Sequence, residues 1–155
     1  PCVLFSKEKK IWEMWYVSCE GWRNKDLPTY NIKYSYSNNG IDWIRNGEIC
    51  IDFINDAETA LARPWVIFED NKYKMWFSFK GEKTNYKMGY AESKNGKDWN
   101  RMNGLEILDY GKNGDWDSEM IEYPCVFNHN NIKFMLYNGN NYGENGIGYA
   151  IKKNK

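Results

Sequence analysis

Pro64-Trp65-Val66-Ile67-Phe68, followed by Tyr73-Lys74-Met75-Trp76-Phe77, is the stretch that decides how this chain folds. Two short runs of β-branched and aromatic residues are separated by Glu69-Asp70-Asn71, which reads as a β-hairpin. The pattern recurs on both sides. Pro1-Cys2-Val3-Leu4-Phe5 precedes Trp12-Glu13-Met14-Trp15-Tyr16, and Pro124-Cys125-Val126-Phe127 precedes Ile132-Lys133-Phe134-Met135-Leu136-Tyr137. The leading prolines stand 63 and then 60 residues apart.

A second register agrees with the first. The run from Lys33 to Trp43, with Ser37-Asn38-Asn39-Gly40, matches the run from Met88 to Trp99, with Ser93-Lys94-Asn95-Gly96, and Ile147-Gly148-Tyr149-Ala150-Ile151 begins a third copy. In the second copy the strands are expected at 62–69, 73–80, 86–93 and 98–108. Four short antiparallel strands in a unit of about 60 residues describe a β-propeller blade, and the fold class is all-β. The blades fall at 1–57, 58–117 and, incomplete, 118–155, about two and three-quarter in all. Propellers need about 4–8 blades to leave no open edge. The expectation is therefore a partial propeller, completed by a missing N-terminal half, a second chain or an oligomer mate.

Composition supports the class and narrows the partners. There are 27 aromatic residues among 155, with 20 Asn and 13 Gly but only six Leu and five Ala. Aromatics favour strands and Asn and Gly favour turns, so helices are disfavoured. Lys and Arg total 21 against 21 Asp and Glu, and only four of the bases are Arg. This balance argues against nucleic acid and against a membrane surface as partner. No run approaches the length of a membrane-spanning helix. The four cysteines have no metal-ligand spacing, and the single His129 excludes a multi-histidine metal site. Neither a metal nor a cofactor is expected. Thiols that read as free core residues and the lack of a secretory signal point to the cytoplasm.

Chemistry is expected where inner strands begin, because a propeller brings those points together around its axis. Glu58 to Arg63 precede Pro64, and Asp115, Asp117, Glu119 and Glu122 precede Pro124. Carboxyls gathered in one place separate into a protonated acid and an ionised base. Glu122 reads as a channel-facing carboxyl or as the partner of Arg63 in a structural ion pair. Asp117 and Glu119 read as catalytic or substrate-contacting groups or as caps of the turn at 114–118. Arg63 reads as a substrate contact or as a cation controlling a neighbouring carboxylate. Asn138 and Asn140 read as ligand-binding amides or as plain turn residues. Cys125, like Cys2 and Trp65 just after a repeated proline, reads as a core position, and His129 as a turn residue.

Glu122-Tyr123-Pro124 resembles the Glu-x-Pro element of the five-bladed propeller glycoside hydrolases, which include arabinanase/β-xylosidase, invertase/levansucrase and mannoside phosphorylase relatives. The resemblance implies that Glu122 protonates the leaving-group oxygen and that this chain corresponds to the C-terminal half of such a propeller. Ala62-Arg63-Pro64 is similar to the Arg-Asp-Pro element of the same proteins but lacks its Asp, a place that Glu58 would fill. The string from Gly111 to Pro124 is also similar to uncharacterised glycosidase-like propellers associated with bacterial surface-polysaccharide loci. The expected function is action on the glycosidic linkages of an oligo- or polysaccharide, with Glu122, Asp117 and Glu119 catalytic and Arg63, Glu58, Trp65, Asn138 and Asn140 binding substrate. The alternative is a non-catalytic carbohydrate-binding or polysaccharide-biosynthesis propeller, which the missing Asp favours.

Overall fold

The structure, a computed structural model, describes residues 1–102 and 107–152. Its elements are β1 (Cys2–Ser6), β2 (Ile11–Asn24), β3 (Leu27–Ser37), β4 (Ile49–Ile51), β5 (Glu58–Glu69), β6 (Lys72–Gly81), β7 (Lys87–Ser93), β8 (Trp99–Arg101), β9 (Glu122–His129), β10 (Ile132–Asn138), a single turn α1 (Asn140–Gly143) and β11 (Ile147–Ile151). The chain is all-β, with antiparallel strands ordered as consecutive propeller blades.

β1 to β4 pair in sequence order, as do β5 to β8 and β9 to β11. One parallel bridge, Tyr30 to Ala60, joins the first group to the second, while β9–β11 form a separate three-stranded sheet. The hairpin connections are set by residues that tolerate positive φ. Asp70 and Asn71 (φ 54° and 58°) turn β5 into β6, and Asn130 and Asn131 (φ 49° and 62°) turn β9 into β10. His129 lies exposed beside the second of these turns, as expected.

The repeated Ser-x-Asn-Gly turns fold alike. Ser37 Oγ accepts the amides of Asn39 and Gly40, and Ser93 Oγ accepts those of Asn95 and Gly96. In each copy the Asn side chain then accepts the next two amides and donates to the following Asp. These turns are structural.

Packing follows from strand alternation. Met75 and Phe77 leave one face of β6 and pack with Trp15, Tyr34 and Leu61. Trp76 leaves the other face and packs with Met88, Val126, Met135 and Tyr137. One aromatic triplet thus fills both spaces beside its sheet. Polar groups cross the first space as well. The buried Glu13 carboxylate accepts Tyr34 Oη at 2.9 Å, Tyr73 Oη at 2.7 Å and Lys9 Nζ at 2.7 Å. Trp116 lies across two glycines, where a Cβ on Gly148 would stand 2.2 Å and one on Gly139 2.4 Å from its ring.

Two expectations need correction. β5 begins at Glu58 rather than 62, because Glu58 and Ala60 extend the ladder against Gly81 and Lys80. The strand expected at 98–108 covers only Trp99–Arg101, with 103–106 outside the described residues. Among the described residues no helix is long and apolar enough to cross a membrane.

Candidate functional site

Two bulges with the same geometry interrupt β5, four residues after its start, and mark the head of β9. Ala62 pairs with Ser78 and Trp65 with Trp76, so Ala62-Arg63-Pro64-Trp65 spans one residue more than its partner strand. Glu122 pairs with Asn138 and Cys125 with Leu136, giving Glu122-Tyr123-Pro124-Cys125 the same extra residue. The residue before each proline is left-handed, Arg63 at φ 48° and Tyr123 at φ 57°. A residue preceding proline normally prefers extended backbone, so each bulge stores about 1–3 kcal/mol that surrounding contacts must offset. At the second bulge one such contact is plain. The Tyr123 amide donates to the buried Ser78 hydroxyl at 2.8 Å.

This corner turns Glu122 inward. Its side chain is 0% exposed, and neither carboxyl oxygen has a hydrogen-bond partner among the described residues. Burial pushes its pKa up to about 7, against the opposing charge of Lys80. The Tyr123 phenol also favours the charged form, though it stops short of hydrogen-bond geometry with the carboxyl. Tyrosines surround the group. Tyr86 stands 6.3 Å from Tyr123 and 6.4 Å from Tyr142 between ring centroids, and its own phenol is pushed up by burial. Lys80 Nζ lies 5.0 Å from the centre of the Tyr86 ring. A buried carboxyl with no partner is an energetic liability for a fold. With its pKa pushed toward neutrality by burial, it is poised to exchange a proton near pH 7.

The other expected residues are distributed around this centre. Arg63 is exposed and lies over the Trp65 ring at 5.7 Å, so the Arg63–Glu122 ion pair is not formed. Arg63, Tyr123, Cys125 and Asn138 line one open cleft. Cys125 is half-buried there, rather than a core thiol like Cys2 and Cys50. Trp65 Nε1 donates to the Val126 carbonyl at 2.7 Å, tying β5 to β9. Glu58 is buried, and Arg101 grips both of its oxygens at 2.8 and 2.9 Å.

Asp117 is buried and accepts Tyr137 Oη at 2.7 Å, while Glu119 is exposed. Asn140 Oδ1 accepts the amides of Glu119 and Met120, clamping the loop that leads to Glu122. Asn138 Nδ2 donates to the Tyr142 carbonyl at 3.0 Å. Of the four acids before Pro124, Glu122 alone is both fully buried and unpartnered.

Sequence reasoning did not single out Ser78, Lys80, Tyr86, Tyr123 and Tyr142. Ser78 had an available signal, because it occupies the repeat position of Asn138, opposite the bulge. Lys80 had none, since its proximity to Glu122 comes from packing between separate sheets. Among the described residues no group of three His, Cys, Asp or Glu side chains converges to hold a metal ion.

No family model matches the chain. Two uncharacterised proteins of Mycobacterium tuberculosis, Rv1502 and MT1551, are each 38% identical to it over 144 residues, covering 92% of this chain and 47% of theirs. The chain spans about half the length of the curated relatives it matches. Among solved structures it is similar to a glycoside hydrolase (TM-score 0.78, 19% identity, 99% of this chain and 45% of that one). It is also similar to a thermostable family-43 glycoside hydrolase (TM-score 0.77, 16% identity, 99% and 54%). A GH32 beta-fructofuranosidase of Bombyx mori follows with TM-score 0.74, 14% identity and coverage of 97% and 33%. At these identities the likeness is one of fold, and the chain has the fold of part of a propeller-type glycoside hydrolase.

Proposed function

We propose that this chain is the C-terminal half of a five-bladed propeller that acts on the glycosidic linkages of an oligo- or polysaccharide, with Glu122 as general acid. The observation that carries the reading is the Glu122 carboxyl, fully buried, unpartnered and held near pKa 7 at the head of a bulged inner strand. A general acid works best when its pKa matches the working pH. The Glu122 proton passes to the glycosidic oxygen as the bond from the anomeric carbon to that oxygen breaks. A second carboxylate, on a blade outside this chain, serves as nucleophile or base. As nucleophile it forms a covalent glycosyl intermediate, and the Glu122 carboxylate then takes a proton from the water that hydrolyses it; as base it takes the water's proton itself, and Glu122 is reprotonated from solvent. The separation of that carboxylate from Glu122 decides the stereochemistry, roughly 6.5–9.5 Å for inversion and about 5–5.5 Å for retention.

In this reading the sugar reaches Glu122 by displacing Tyr142, which is 57% exposed on a turn where Asn141 and Tyr142 are left-handed. Arg63 lines the cleft beside Tyr123 and Asn138, with the Trp65 ring beneath its guanidinium. Asp117 is committed to Tyr137, Glu58 to Arg101 and Asn140 to the Glu119 and Met120 amides, and these hold the surroundings rather than the substrate. The blades are those at 1–57, 58–117 and 118–155, and the protein works in the cytoplasm without a cofactor. Its outer faces support completion by further blades. Phe127, Leu136, Ile147, Tyr149 and Ile151 are exposed on the β9–β11 sheet, and Val3, Phe5 and Trp12 at the opposite end. An N-terminal half, a second chain or another copy would cover them.

A second reading, a non-catalytic carbohydrate-binding propeller, is favoured by one feature: Ala62-Arg63-Pro64 carries no carboxylate at the bulge equivalent to that of Glu122. Glu122→Gln separates the two. Turnover of a glycan by the natural protein, lost in the variant with binding retained, supports the acid. Binding with no turnover of any glycan by the natural protein supports the binder.

A further inference from the structure

The charges around Glu122 do not balance within the protein. Glu58 is neutralised by Arg101, and Asp117 is held by the Tyr137 hydroxyl. Lys80 and Arg63 form no ion pair among the described residues, whereas the partly buried Lys33, Lys74, Lys133 and Arg101 all do. Each of the two unpaired cations rests instead on a ring, Lys80 on Tyr86 and Arg63 on Trp65. An aromatic face attracts a cation and leaves its other side able to receive an anion.

Position adds to the charge argument. Lys80 pairs with Ala60 and Ser78 with Ala62, so the strand face that carries the ammonium toward Glu122 is lined by small side chains. Tyr123 links the two cations, packing against Tyr86 on one side and lining the Arg63 cleft on the other. Cations donate to hydroxyls as well, but their charge-assisted bonds to anionic oxygens are the stronger ones. Asn138 Nδ2 and Asn140 Oδ1 are already committed to backbone groups.

We propose that the site around Glu122 takes a negatively charged sugar chain, whose carboxylate, sulfate or phosphate group is received by Lys80, with Arg63 as a second cation. This inference rests on Glu122 facing a glycan, and it names the class of that glycan. An anion beside Lys80 also sets register, placing one charged sugar at a fixed distance from the linkage that Glu122 meets.

The test is binding of matched oligosaccharides by calorimetry: an oligouronate, a sulfated chain, a phosphorylated chain, and the neutral counterpart of each. At least one charged chain is expected to bind tenfold or more tightly than its neutral match. That advantage should fall as salt rises, vanish in Lys80→Met and shrink in Arg63→Gln. The three charged arms tell which anion is preferred. Equal binding of charged and neutral chains, no binding of any charged chain, or an advantage kept by folded Lys80→Met overturns the proposal. If Lys80→Met does not fold, Lys80→Arg and the salt series decide, and an advantage that ignores both salt and Arg63→Gln overturns it. Failure of the acid reading looks different, since charged chains would still bind through Lys80 while no linkage is cut.

Discussion

The hydroxyl of Ser78 and the backbone amide of Tyr123 meet at 2.8 Å, although 45 residues separate them in the chain. Through this bond β6 holds the left-handed corner that turns Glu122 inward, so the carboxyl is aimed by a neighbouring sheet.

Ser78→Ala leaves the Tyr123 amide without that partner. A loss of about 1–3 kcal/mol is expected, read as a lower denaturant midpoint with unchanged slope. If the reading of Glu122 is right, any glycan turnover falls further than stability alone explains.

Glu122 makes stability depend on pH. Its folded pKa of about 7 lies above the ordinary value of 4.5, so the folded protein holds a proton that the unfolded chain gives up. Stability should decline as pH rises from about 4.5 to 7 and level off above, by roughly 3 kcal/mol in total. Glu122→Gln should remove that slope, leaving the variant the more stable form above pH 7. Urea unfolding of both proteins across this range checks it.

The opposite sign is expected at Glu69. Lys133 and then Lys74 hold its carboxylate down, to about 2, with Asn128 assisting. Its contribution is present above pH 4.5 and is lost as pH falls toward 2. Glu69→Gln should flatten this acid limb by about 1–2 kcal/mol after solvent screening is allowed for.

Glu13 joins β2 to both Tyr34 and Tyr73 from a fully buried position. Glu13→Ala strands two phenols and the Lys9 ammonium and should cost about 3–5 kcal/mol. Tyr73→Phe removes one hydrogen bond and should cost about 1 kcal/mol. Comparable losses in the two variants would mean that the carboxylate does not organise the cluster.

The architecture was legible because its signals are local. Repeated prolines, alternating aromatics and Asp70-Asn71 or Asn130-Asn131 turns each act within a few residues. Glu122 was legible for the same reason, through its place before Pro124. What stayed hidden depends on strands meeting across long separations. Glu58 finds Arg101 43 residues away, which removes it from the free acids. Lys80 approaches Glu122 from another sheet, and Asn140 is taken up by amides some 20 residues earlier. Of the expected fourth strand, Trp99, Asn100 and Arg101 find ladder partners on β7, and 103–106 lie outside the described residues.

The twin corners at Arg63-Pro64 and Tyr123-Pro124 carry a consequence for how such a molecule changes over time. Since the backbone device is built twice, mutation can explore the tip of one copy while the other keeps its own strands in register. Ala62 and Glu122 then stand as an apolar and an acidic version of a single repeated corner. Exchanging the two residues would ask whether a buried carboxyl can be carried from one sector of the molecule to the next.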